Sequence, residues 1–223
     1  MARPTAATVK PPAVWPSQAV PFLYRALRTP VRAVLTRVFG LTVEGVEHLP
    51  AMGPYIVAAN HHNYLDGVVL GVTVPRPIAF LVMPRVWHLT PLHPPFHRHI
   101  GSIAVGLDRP DPGALRRALD TLAAGRVVGI FPEGPWSVRG QLEPGLPGVG
   151  LLALRSGVPV VPAGIRGTYE ALVHRRGYVP RRHPLAVRFG PARHFTRPGF
   201  SSARAARQEV TARIMADIAG LLH

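Results

Sequence analysis

The chain has 223 residues, of which 47% are hydrophobic and 17% charged, with a formal net charge of +15. That length and apolar content suit one domain with a real core, since a chain this size hides roughly 70% of its unfolded surface, and they exclude a disordered or acidic solvating protein. The absence of cysteine excludes disulfides, thiolate nucleophiles, zinc ribbons and iron–sulfur clusters.

Residues 1–18, rich in Ala, Pro and Thr, read as a loose N-terminal arm. Residues 20–39 read as a basic amphipathic helix. Phe22, Leu23, Leu27, Val31, Val34, Leu35 and Val38 recur at three- and four-residue steps, and Arg25, Arg28, Arg32 and Arg37 fall mostly elsewhere on the wheel. Such a helix either lies in a membrane interface or packs on its own domain, and Pro30 is expected to kink it. After Gly40 short apolar runs alternate with helical stretches. Strands are predicted at 41–46, 55–59, 78–83, 102–106, 127–131, 158–162 and 185–189. Helices are predicted at about 64–73, 112–124, 147–156 and 202–222. Asp111 and Ser201 or Ser202 serve as caps, and Gly125 closes the helix that Asp111 opens. Strands that are apolar throughout and alternate with helices imply an α/β fold, a mostly parallel central sheet flanked by helices. The chain divides into the arm and helix of residues 1–40 and one domain over 41–223.

The charge is concentrated. Only Lys10 is lysine among the 26 basic residues, and residues 165–223 hold 11 arginines against Glu170, Glu209 and Asp217, a net of +8. A GC-rich genome explains arginine in place of lysine but not the shortage of acids. The resulting field attracts anions: nucleic acid, anionic lipid headgroups or phosphorylated small molecules. No run of about 18 apolar residues predicts a membrane span, and residues 1–19 lack a signal-peptide pattern, so a cytoplasmic chain is expected.

In an open α/β sheet, functional groups gather beyond the C-terminal ends of strands. Beyond 55–59 lie Asn60, His61, His62, Asn63, Tyr64, Leu65 and Asp66. A strand-to-helix turn lets Asp66 fold back onto His61, and a carboxylate on one imidazole nitrogen strengthens the other as a base. Such a pair has no nucleophile of its own, so a substrate hydroxyl would attack. The alternative is an Asp66 that caps a helix beside ordinary loop histidines. Beyond 127–131, Glu133 and Gly134 follow a buried strand, either as site residues or as a tight turn. Beyond 102–106, Arg109 could fork onto a phosphate or pair with Asp108. Val158–Pro162 reads as a buried edge-type strand or a wall. Adjacent His61 and His62 diverge from an extended chain, so no metal is expected there. His88, His93, His97 and His99 scatter between prolines and read as surface residues rather than as the lining of an entrance.

The order of four blocks resembles the glycerolipid acyltransferase family, that of the 1-acylglycerol-3-phosphate acyltransferases. That family carries Asn-His-x-Ser-x-x-Asp, an arginine block, Phe-Pro-Glu-Gly-Thr-Arg-Ser and a Val-Pro-hydrophobic-hydrophobic-Pro block. This chain has NHHNYLD at 60–66, GLDR at 106–109, FPEGPWS at 131–137 and VPVVP at 158–162. The resemblance implies that His61 is the general base and Asp66 its orienting partner. A lysolipid hydroxyl would attack the thioester of acyl-CoA or acyl carrier protein, with no cofactor and no acyl-enzyme. It further implies that Asn60, Asn63, Glu133, Gly134 and Arg109 surround the substrates. Backbone N–H groups near Gly134 or after Asn63 are candidates for an oxyanion hole. Two departures stand out. Asn63 replaces the family serine, and Pro135-Trp136 replaces its Thr-Arg. Either Arg109, Arg139 or Arg166 substitutes for the missing cation, or the acceptor is a lyso-amino-lipid, glycolipid or other lysolipid whose apolar or sugar face Trp136 covers. The implied partners are the lysolipid, the acyl donor and an anionic membrane, with the protein peripherally held at its inner face. Two functions from other classes compete: nucleic-acid binding, against which no recognisable module stands, and lipid binding without catalysis, which needs no base.

Overall fold

The computed structural model describes residues 22–106, 111–172, 179–196 and 202–223. The arm before Phe22, Arg109 and the Ser201 cap lie outside the described residues.

The apolar runs become strands and the 3.6-period segments become helices, in the predicted alternation. The strands are β1 (Thr42–Glu44), β2 (Tyr55–Ala59), β3 (Ile78–Val82), β4 (Ile103–Ala104), β5 (Val127–Ile130), β6 (Val160–Arg166) and β7 (Ala186–Phe189). The main helices are α1 (Phe22–Phe39), α2 (Tyr64–Thr73), α3 (Pro84–Trp87), α4 (His93–Ile100), α5 (Pro112–Ala123), α6 (Gly148–Ser156), α7 (Thr168–Ala171) and α8 (Ala203–Gly220). The described strands form one sheet in the order β1-β7-β6-β2-β5-β3-β4, parallel except where β6 meets β7. The sheet is therefore mostly parallel and flanked by helices, as the alternation required.

β2 sits at the centre, and all five of its residues are buried. Its side chains alternate between two layers, as a pleated strand must. Tyr55, Val57 and Ala59 join a core with Leu35 of α1 and Leu65, Val69 and Leu70 of α2. Ile56 and Ala58 join the opposite core with Ala118 and Leu122 of α5, Leu152 of α6 and Ile214 of α8. α1 thus packs on its own domain, continuing as one helix on both sides of Pro30. Tyr24 Oη donates to Gly71 O at 2.6 Å and ties α1 to α2. Phe22, Leu27, Val34 and Val38 of the same helix stay exposed.

One expectation needs correcting. The segment 158–162 is no edge strand. β6 runs on to Arg166 and is paired on both sides, to β2 and to β7. Proline usually marks an edge because it cannot donate to a ladder. Here the Pro162 carbonyl, on the same side as its missing N–H, accepts from Gly190, just past the end of β7. The missing donor therefore faces a gap in the pairing between Gly190 and the Val160–Arg193 bridge.

Gly167 turns the chain from β6 into α7 with φ 82°. A Cβ there would stand 1.9 Å from the Pro184 carbonyl oxygen. Gly167→Ala combines a left-handed backbone with a hard clash and is expected to cost at least about 1–3 kcal/mol. Urea unfolding measures this; an unchanged midpoint would mean that the turn re-forms at no cost.

Candidate active site

The C-terminal end of β2 carries the polar block into a turn that opens α2. Asn63 caps α2: its Oδ1 accepts from Leu65 N–H at 3.0 Å, while Asp66 reaches back to accept from Asn63 N–H at 2.8 Å, a reciprocal capping box. The same Asp66 oxygen, Oδ2, also accepts from His62 N–H at 2.6 Å and lies 2.9 Å from His61 Nδ1. Asp66 is at once part of the cap and the partner of the imidazole.

Asp66 is fully buried. Burial, the largest single influence, would push its carboxyl up. The hydrogen bond and charge of His61, the Thr168 hydroxyl and the Asn63 amide outweigh it and hold the carboxyl below the ordinary range. It stays a carboxylate at neutral pH, which selects the tautomer of His61 with the proton on Nδ1 and leaves Nε2 as the basic nitrogen. His61 is 9% exposed, and its imidazole lies flat on Phe131, with centroids 3.9 Å apart and a 10° interplanar angle. Trp136 meets it edge-on at 6.1 Å and touches Tyr64 at 4.9 Å. His62 diverges, its Nδ1 3.4 Å from Thr168 Oγ1. Burial lowers the His62 pKa more than Asp66 and Glu170 raise it.

His61 lines a cavity of about 530 Å³ that is walled chiefly by apolar side chains from α1, α2, β3, α4 and the 130–136 turn. Trp136 and Gly134 line it too. Asn60, Asn63 and Glu133 do not. Asn60 is fully enclosed, and its side-chain amide acts as an extra rung between β2 and β6: Oδ1 accepts from Ile165 N–H at 2.7 Å, and Nδ2 donates to Ile165 O at 2.9 Å. Asn63 Nδ2 donates to Thr168 O at 2.7 Å. Glu133 has both oxygens on backbone amides, those of His61 and Glu143, at 2.7 Å each. Burial pushes its carboxyl above the ordinary range despite these bonds.

Three of the amides expected to hold an oxyanion already have partners. Gly134 N–H donates to Phe131 O, Asp66 N–H to Asn63 O and Leu65 N–H to Asn63 Oδ1. Among the described residues no group of three His, Asp or Glu is arranged to hold a metal ion.

Sequence reasoning missed α4. His93 and His97 line the cavity, and His97 is buried, stacked on Trp87 at 5.1 Å with Nδ1 3.2 Å from Ser102 Oγ. Two prolines and three histidines hid the helix, although Pro94 and Pro95 in a first turn are a start signal.

A model of the acyltransferase family matches residues 40–166, from two residues before β1 to the end of β6. The chain belongs to the acyltransferase family. It is 25% identical over 146 residues to a 1-acyl-sn-glycerol-3-phosphate acyltransferase of Bacillus subtilis, covering 65% of this chain and 72% of that one. It is 30% identical over 138 residues to the chloroplastic 1-acyl-sn-glycerol-3-phosphate acyltransferase BAT2 of Brassica napus, covering 56% of this chain. That match spans only 37% of the chloroplast protein's length. The crystal structure of PlsC, the 1-acyl-sn-glycerophosphate acyltransferase of Thermotoga maritima, superposes with a TM-score of 0.72 at 24% identity. It covers 89% of this chain and 79% of that one, and establishes the shared fold. The family match contains both the 60–66 block and the 131–137 block, so the His61–Asp66 pair and the cavity wall apart from α1 fall within the matched region.

Burial, helped by His93, lowers the His97 pKa to about 4. The unfolded chain then takes up this proton first, near its ordinary value of about 6.5. The acyltransferase should lose stability as pH falls from about 6.5 to about 4, by at most about 1.4 kcal/mol per pH unit from this group. Urea midpoints across that range test it: His97→Phe should flatten the slope, and an identical slope in the variant would assign it to other groups.

Proposed function

We propose that the protein transfers a fatty acyl group from acyl-CoA or acyl carrier protein to the hydroxyl of a lysophospholipid, 1-acylglycerol-3-phosphate. The observation that carries this reading is a base held by a buried carboxylate beside a large apolar cavity. The cavity suits an alkyl chain, and the base suits an alcohol that must become a nucleophile. His61 Nε2 takes the acceptor's hydroxyl proton as its oxygen attacks the thioester carbonyl. The tetrahedral state collapses, the C–S bond breaks, and the departing thiolate recovers the proton from the imidazolium that Asp66 has stabilised. The acyl group passes directly between substrates, which fits a chain with no cysteine.

For the acceptor's phosphate, Arg166 is the described candidate. It ends β6 exposed, and β6 runs parallel to β2 with Ala163 opposite Ala59, so Arg166 belongs to the same sheet edge as His61. Arg139, in the loop after Trp136, and Arg109 are the others. A second reading has its own observation. Trp136 and Tyr64 form an aromatic wall of the cavity next to His61, which favours a phosphate-free acceptor such as a lyso-amino-lipid or glycolipid.

The lipid partner is an anionic membrane at whose inner face the enzyme is peripherally held. No helix among the described residues is long and apolar enough to cross a bilayer. α1 instead offers Phe22, Leu27, Val34 and Val38 to the surroundings among Arg25, Arg32 and Arg37, while Tyr24, Leu27 and Val31 line the cavity. A helix with one foot in the interface and one in the cavity wall gives a lysolipid a route between them.

Thiol release from acyl-CoA with a panel of lysolipids tests the chemistry. His61→Ala should lower the rate by on the order of a hundredfold or more. Undiminished turnover in that variant would remove the base from the mechanism, and the panel decides between the two acceptors. Flotation with anionic vesicles tests the surface. Phe22→Asp with Val34→Asp should release the protein, whereas unchanged binding would make α1 purely structural.

A further inference from the structure

We propose that Glu133 is a positioning residue that sets the main chain of the base rather than a group that touches substrate. The inference rests on the function proposed above. Glu133 Oε1 accepts from the N–H of His61 at 2.7 Å, and Oε2 accepts from the N–H of Glu143 at the same distance. The residue is 4% exposed and is absent from the cavity wall that Pro132 and Gly134, its two neighbours, both line. Gly134 takes φ 80°, and the Glu133 carboxylate reaches the His61 amide just past β2 rather than the cavity. From the other side, Ser137 N–H donates to the carbonyl of His61 at 2.8 Å. Both polar groups of the His61 backbone are therefore bound by the 131–137 turn.

The imidazole is thus fixed by four contacts: Asp66 on Nδ1, Phe131 on its face, and Glu133 and Ser137 on its peptide groups. Three of the four come from one turn. A base must sit within hydrogen-bond reach of the proton it removes, and a shift of about 1 Å can cost about a hundredfold in rate. Burying a carboxylate is expensive unless its oxygens are satisfied. Here each oxygen is held by a backbone amide, and the side chain does not reach the cavity wall where a substrate would sit. A carboxylate would in any case repel an anionic phosphate. The second anchor, at Glu143, joins the His61 turn to the loop that leads into α6. Through it the carboxylate braces the segment that carries Trp136 as well as the base.

The test is steady-state kinetics of the full chain, wild type beside Glu133→Ala and Glu133→Gln, with the acceptor varied. Glu133→Ala should lower kcat by about a hundredfold with acceptor KM changed less than about threefold, since a misplaced base loses transition-state stabilisation without losing ground-state binding. Glu133→Gln keeps one carbonyl oxygen for the His61 amide and should recover at least about tenfold over the alanine variant. A rise in acceptor KM of about tenfold or more with kcat preserved would make Glu133 a substrate ligand and overturn the proposal. Imidazole 15N–1H correlation spectra give a second readout that needs no turnover. The Nδ1–H of His61, assigned by its loss in His61→Ala, should persist in Glu133→Gln and vanish or broaden in Glu133→Ala. An unchanged signal in a folded Glu133→Ala chain would also overturn the proposal. If the alanine variant does not fold, Glu133→Gln carries the test: reduced kcat at constant KM supports it, and wild-type kcat overturns it. A wild type inactive on every acceptor would remove the functional reading, while the spectra would still decide on the brace.

Discussion

One carboxylate oxygen organises this site. Oδ2 of Asp66 accepts from the amides of His62 and Asn63 and holds the His61 ring. A single interaction thereby starts α2, fixes the path of the turn after β2 and chooses the imidazole tautomer. In a fully buried position these tasks cannot be separated, because an ionised carboxylate there survives only if it is richly hydrogen-bonded. In the proposed reaction, the carboxylate that would stabilise an imidazolium is the same charge that makes the capping strong. A neutral Asn at 66 would keep the shape of the cap but lose both the tautomer preference and the electrostatic support.

The protein carries 11 acidic residues against 26 basic ones, yet it buries two acids, Asp66 and Glu133, around one histidine. Their surroundings push them in opposite directions. Asp66 gains more from its donors and from His61 than burial takes away, whereas for Glu133 burial wins. The difference follows from who supplies the hydrogen bonds. Asp66 faces the His61 ring, and Glu133 faces neutral peptide groups. The first arrangement suits a group that answers to charge during the reaction, and the second suits one that holds geometry.

Much of this was legible in the chain itself. Apolar runs without alternation gave away strands covered on both faces, and the polar blocks that interrupt them marked the strand ends where His61, Asp66 and Glu133 meet. The partners of those residues were not legible. Asn60 looks like a site residue in sequence, but it bonds Ile165, 105 positions away, an interaction that depends on β6 lying beside β2. Glu133 looks like a ligand until the register of β5 against β2 sets it under His61. The central place of β6 was hidden by its prolines, whose cost depends on which neighbour their missing donor faces. α4 was hidden because its apolar residues are replaced by histidines that only the cavity explains. Local pattern reveals elements and their ends; which end meets which is decided by strand order, and that information is not local.

Strand order also accounts for the concentration of function at one edge. β6, β2 and β5 are adjacent and parallel, with Ala163 opposite Ala59 and Ile130 opposite Ala58. β2 and β5 leave the sheet within one residue of the same level, and β6 runs on three residues past Ala163 to Arg166. Arg166, His61 and Glu133 follow as the first strongly polar side chains beyond the sealed core on each strand. Parallel neighbours make this convergence automatic, since each delivers its first solvent-tolerant residue to the same side. The antiparallel β7 cannot contribute there, and its Arg188 pairs instead with Glu44 on the first strand. The neighbouring cavity lies against α2 and β3 and is closed by α1, which the rest of the sheet does not need for its own pairing. The architecture thus separates two requirements. The rigid strands fix the positions of His61 and Glu133, and the helices around them shape an apolar space whose dimensions can vary without disturbing either.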